Sequence, residues 1–148
     1  MKNNRWQRVL LIASLIMAGE AIFTLPYHVT RFFRPTFLEV FNLSATELGV
    51  AQSAYGFAAM VAYFFGGPLA DRFEPRKPLA GSLWATALGG LYLATFPSVT
   101  GVMLVWGFFG LANILFFYAA LIKATRSWGG DTQQGLAYGL LDGGRGLL

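Results

Sequence analysis

The chain has 148 residues, of which 55% are hydrophobic and only 12% charged, with a net charge of +4 and no cysteine. Soluble domains carry roughly a quarter charged residues, so the composition is that of a membrane protein. The lack of cysteine excludes a disulfide framework and thiolate metal sites. The basic residues sit in small clusters beside apolar runs, which is not the continuous basic surface that nucleic acid requires.

The first apolar segment covers residues 9–31. It carries Glu20 and ends among Pro26, Tyr27, His28 and Arg31. Its start has the charged and apolar regions of a signal peptide, but the apolar character continues past the only small-residue site, and Glu20 stands where cleavage would fall. A retained helix over 9–33 is expected. "SATE" at residues 44–47 forms a capping box, in which Ser44 and Glu47 satisfy each other's free N–H groups, and it opens a second helix over 46–70. "GGPLADRFEPRKPL" then places five charged residues between 71 and 77, and Pro78 suits the first turn of a third helix, 78–97, which Pro97 ends. A fourth helix is expected over 101–123, then a polar loop, "SWGGDTQQ". Residues 48–70, 79–96 and 102–122 carry no charge. A bilayer core of about 30 Å needs ~20 helical residues, so these three are read as spans, and with the less clean first segment they make four transmembrane helices before the start of a fifth.

A fifth helical pattern starts at 134 and is still apolar at Leu148. The expectation is a truncated chain with an incomplete fifth helix over 134–148. Gly135, Gly139 and Gly143 fall on one face of it, a spacing that lets membrane helices approach closely. Asp142 and Arg145 are expected to pair with each other or across helices, in a structural role. Lys2, Arg5, Arg8, Arg72, Arg76, Lys77, Lys123 and Arg126 collect on one side of the membrane, with only Arg31 and Arg34 opposite. By the positive-inside rule the N-terminus is cytoplasmic.

Glu20, Thr24, Tyr27 and Arg31 recur on one helical face, with His28 at its edge. A carboxylate in a span is costly against lipid, so Glu20 is expected to face protein or water. It either carries a proton, since burial favours the neutral form, or bonds structurally to a neighbouring helix. Arg31 suits an anionic solute or a headgroup anchor. Glu20 and Arg31 lie eleven residues apart, about 16 Å along a helix, too far to pair directly. Asn113, the one strongly polar group at mid-depth in the fourth helix, is either a solute contact or helix–helix glue. Trp106, Phe116, Phe117 and Tyr118 are expected to pack. Nothing in the sequence has the spacing of a metal site, a nucleotide loop or an enzyme's catalytic set, and no cofactor is expected.

Gly67, Leu69, Asp71, Arg72, Arg76 and Lys77, placed between the second and third helices, resemble the loop 2–3 signature of major facilitator superfamily transporters. The register departs at Glu74-Pro75, where that signature has Gly-Arg. The resemblance covers the whole chain and is nearest to the organophosphate and organic-anion branch. It implies an all-α membrane fold in which this chain is part of the N-terminal six-helix half, with helices 1 and 4 lining a solute path. It also implies a cytoplasmic latch in which Asp71 meets a helix N-terminus of the missing C-terminal half. Drug–proton antiporters carry an Arg where Trp106 stands, which counts against that activity.

The expected function is therefore secondary transport of a small, possibly anionic, solute by alternating access in the bacterial inner membrane. The expected partners are the solute, the bilayer and the missing half, with no nucleic acid. A complete four-helix transporter resembling the small multidrug resistance type, acting as an oligomer around Glu20, is the alternative. A third reading is a solute sensor on the same scaffold.

Overall fold

The computed structural model describes residues 4–147, and every side chain among them except those of Ala70 and Asp71. The described chain is helical, with no strand. α1 spans Arg5–Phe32 and is wound as a π-helix over Thr24–Val29. The short α2, Arg34–Val40, precedes α3, Ala45–Arg72, and α4, Arg76–Leu93. α5 spans Val99–Gly129, with a second π-helical stretch at Ala112–Tyr118, and α6 is Gln134–Arg145.

Three of these elements are long and apolar enough to cross a membrane: α1, Ala45–Leu69 of α3, and α5. Three of the four expected spans qualify, the least clean first segment among them, and the fourth, α4, falls short on hydropathy. It opens on Arg76 and Lys77 and carries Ser82 and Thr86, which lower its mean hydropathy. Those two hydroxyls face inward and are buried, while Trp84, Leu88 and Leu91 point outward. α4 therefore still belongs to the bundle, packed on α1 and on the π-helical part of α5.

The helix ends follow local chemistry. The Ser44 backbone N–H donates to Glu47 Oε2 at 2.7 Å and the Glu47 N–H to Ser44 Oγ at 3.2 Å, so the capping box forms as expected. α4 stops at Leu93, and Phe96 turns the chain at φ 51°, so Pro97 stands beyond the helix instead of ending it. The segment Ser127–Gly129, expected in a loop, continues α5. Trp128 is held there by an Nε1–H bond to the Arg8 carbonyl at 2.8 Å, and Gly130 ends the helix at φ 58°.

α5 is the centre of the bundle. On one side Trp106 and Phe109 join Leu48, Ala51 and Tyr55 of α3, capped by Phe37 of α2. On the other, Phe117 and Leu121 meet Ile12, Leu15 and Ile22 of α1 and Leu141 of α6. Trp106 and Phe117 are fully buried, as their expected packing role requires, whereas Phe116 is 40% exposed. The outer surface is apolar: Phe64, Trp84 and Leu104 are 75%, 72% and 70% exposed. Water would penalise that surface and lipid does not.

Close helix approach does not occur where spacing predicted it. A Cβ at Gly135, Gly139 or Gly143 would meet nothing within 4 Å. Tight contacts lie elsewhere: a Cβ at Gly144 would collide with the Ile16 side chain of α1, and one at Gly110 with the Tyr55 carbonyl of α3.

Candidate functional site in the core of the bundle

Glu20 lies about 22 Å along α1 from Arg5 and about 18 Å from Phe32, near the middle of the span. Its side chain is 19% exposed and faces α6, where Arg145 Nε donates to Glu20 Oε1 at 3.1 Å. Two features admit the guanidinium. Gly19 has no side chain to block it, since a Cβ there would stand 3.1 Å from Arg145 Cδ and Nε. The Phe23 ring lies under the cation at 5.5 Å. For Arg145 this is the across-helix alternative, not the pair with Asp142. Asp142 is exposed and forms no ion pair among the described residues, and Arg145 pairs across helices instead.

His28 Nε2 stands 3.7 Å from Glu20 Oε2, too long for a hydrogen bond but within ion-pair range if the imidazole is protonated. Glu20 therefore has a permanent cation on one oxygen and a titratable one near the other. Thr24 shares this stretch but turns its hydroxyl to the Glu20 backbone carbonyl at 3.1 Å. Arg31 is not part of the node, as its distance from Glu20 required.

The backbone beside the node is broken, and the reason is Pro26. In an α-helix the N–H of residue 26 would bond the carbonyl of residue 22, and proline has none. Asn113 supplies the missing donor: its Nδ2 bonds the Ile22 carbonyl at 3.2 Å, and Thr86 Oγ1 donates to its Oδ1 at 3.1 Å. Asn113 is fully buried. With both ends of its amide engaged it ties α1, α4 and α5 together. That geometry suits the glue role. The Thr30 hydroxyl serves the carbonyls of Pro26 and Tyr27 at 3.1 and 3.2 Å. The tie thus joins the π-helical stretch of α5 to the residue two before that of α1.

Above this tie a cleft of about 580 Å3 opens between α1, α2 and α3, lined by Tyr27, Thr30, Arg31, Arg34, Leu48 and Gln52. Tyr27 leans edge-on against Tyr55 at 4.9 Å. The Tyr55 hydroxyl is buried beside Tyr27 and Asn113. Arg34, Gln52 and Tyr55 were not singled out in sequence. The first two look like headgroup-level polar residues and Tyr55 like core, and only the fold gathers them.

At the other end of the bundle, residues 73–75 link α3 to α4. Lys123 Nζ donates to the Phe73 carbonyl at 3.0 Å, fastening this link to α5. Of the loop 2–3 residues, Gly67, Arg72, Arg76 and Lys77 are exposed and Leu69 is half-buried. The side chain of Asp71, on which the latch depends, and Lys2 lie outside the described residues. No cluster of three or more His, Asp or Glu with metal-binding geometry occurs among the described residues.

The family model described as Major Facilitator Superfamily matches residues 6–147. The chain is 33% identical over 138 residues to the inner membrane protein YihN of Escherichia coli, covering 93% of this chain and 32% of that protein. It is 29% identical over 147 residues to the inner membrane protein YqcE of the same organism, covering 99% and 34%. A third relative, an uncharacterized protein of Mycoplasma pneumoniae called the MG294 homolog, is 24% identical over 149 residues, covering 93% and 31%. The chain spans about a third of the length of these curated relatives. No solved structure matches.

Proposed function

The chain belongs to the Major Facilitator Superfamily, and from that membership we propose that it forms part of a secondary transporter that moves a small anionic solute across the bacterial inner membrane by alternating access. The inner-membrane names of its two Escherichia coli relatives support the location. The clustering of Arg5, Arg8, Arg72, Arg76, Lys77, Lys123 and Arg126 on one side supports a cytoplasmic N-terminus. The relatives' greater length supports a second half that supplies the other wall of the path and the partner of the Asp71 latch. Family membership speaks against a complete four-helix oligomer.

One observation carries the anionic, proton-linked reading: the Glu20–Arg145 bridge near mid-span, with His28 on the other carboxylate oxygen. The pair is half-buried, so the bridge adds little net stability, but removing one partner leaves the other charge partly desolvated and unpaired. While Glu20 is ionised it occupies Arg145 and holds α1 to α6. A proton on Glu20 cancels that hold and leaves the guanidinium to a solute carboxylate or phosphate, which fits its fork. Arg31 and Arg34 in the cleft above serve to collect the anion first. Solute and proton then travel together, because each weakens the same bridge.

The test is uptake of a panel of small organic anions by the full-length protein in proteoliposomes, with and without a pH gradient. The wild type is expected to take up an anion faster when the source side is acidic. Glu20→Gln is expected to remove that pH dependence, and Arg145→Gln to abolish uptake. Unchanged pH dependence in Glu20→Gln ends the proton role. Transport of a neutral solute with no anion accepted ends the anionic reading.

A further inference from the structure

At the end of the bundle opposite the Arg31 cleft, a second cleft of about 420 Å3 lies between α1, α4 and α5. Its walls are of three kinds. Arg8 and Arg76 bring two guanidinium groups, Trp128 an indole face, and Leu11, Pro75 and Ala124 an apolar floor. No described carboxylate lines it.

The two arginines differ in preparation. Arg8 is fixed: its Nη2 donates to the Trp128 carbonyl at 3.2 Å and to Gln133 Oε1 at 3.1 Å, and its guanidinium lies 4.8 Å from the Trp128 ring. The Trp128 indole returns a bond to the Arg8 carbonyl. Neutral groups hold this cation, so its charge is oriented but not neutralised. Arg76 stands exposed at the start of α4 and meets no described carboxylate. Two cations that meet no described carboxylate, over an apolar floor and beside an indole at the end of a span, match the parts of an anionic amphiphile. The phosphate faces the cations and the first chain methylenes lie on Leu11 and Ala124. Basic pockets between membrane helices take lipid headgroups on this physical basis.

We propose that this cleft binds the phosphodiester headgroup of an anionic phospholipid, with Arg76 as the outer clamp and Arg8 as the preset inner one. The inference rests on the membrane placement of the chain and not on transport, so it stands or falls separately from the Glu20 mechanism.

The experiment is native mass spectrometry of the full-length protein released from detergent containing phosphatidylglycerol or phosphatidylcholine. The wild type is expected to retain phosphatidylglycerol in preference to phosphatidylcholine. One cation near a charged headgroup changes partition roughly fivefold, so Arg76→Gln is expected to retain about a fifth as much. Arg76→Lys keeps the charge and most of the binding. Lys77→Gln removes a neighbouring exposed cation that does not line the cleft, and should retain wild-type levels. Equal retention in Arg76→Gln overturns the site. An equal loss in Lys77→Gln overturns it too, since general surface charge then explains the binding. Displacement of the lipid by free glycerol 3-phosphate at matched concentration assigns the cleft to a soluble phosphate and overturns the lipid as occupant.

Discussion

If Asn113 exists in the bundle to serve the carbonyl that Pro26 leaves bare, then the cost of losing Asn113 depends on residue 26. Asn113→Leu keeps the branching and the number of heavy atoms, so no cavity forms, but it removes both the donor to the Ile22 carbonyl and the acceptor for Thr86. A buried group left unpaired costs about 1–3 kcal/mol. Interhelical hydrogen bonds in membranes average about 0.6 kcal/mol and reach about 1.7. With two partners stranded, roughly 1.5–3 kcal/mol is expected. Pro26→Ala restores an N–H that bonds the Ile22 carbonyl within α1. In that background Asn113→Leu should cost about 1 kcal/mol less, because only the Thr86 half is lost. The four proteins of the cycle are compared by equilibrium unfolding of the full-length protein in mixed micelles. An interaction energy within about 0.3 kcal/mol of zero refutes the reasoning, because independent sites add to that accuracy.

Other perturbations separate the packing claims. Gly110→Ala drives a methyl into the Tyr55 carbonyl, a backbone atom that cannot step aside, and should cost about 1–3 kcal/mol and lower the melting temperature. Gly139→Ala meets nothing and should leave the melting temperature unchanged or raise it, since alanine favours a helix by about 0.8–1.0 kcal/mol. Ser44→Ala removes the cap of α3 and should cost about 1 kcal/mol in the same unfolding assay. Trp128→Phe keeps a ring under Arg8 but loses the bond to its carbonyl, and should cost about 0.5–1.5 kcal/mol in the same unfolding assay.

Hydropathy made the bundle legible, because lipid demands unbroken apolar surface, and the capping box made the start of α3 legible to the residue. α4 was legible as a bundle helix from its apolar run, and its hydropathy over the whole helix is lowered by two cations at its start and two inward hydroxyls, which a charge-free window does not register. Glu20 stood out as a costly carboxylate, but Arg145, 125 residues away, did not announce itself as the partner. Asp142 was nearer in sequence, and only the packing of α6 on α1 decides between them. The glycines teach the same lesson. A spacing of four describes one helix's face, but whether a backbone comes close depends on the neighbour. Gly110, outside that stripe, is where α3 arrives.

The bond between Asn113 and the Ile22 carbonyl also has a consequence on the timescale of descent. A proline and an asparagine on different helices have no reason to vary together unless one creates the vacancy that the other fills. A lineage that replaces the proline regains its own donor, and selection on the asparagine then relaxes. One that loses the asparagine first carries an exposed debt in the core until the proline goes. Among sequences related to this chain, positions 26 and 113 should therefore change in that order and as a pair, and Thr86 should drift only after Asn113 has gone.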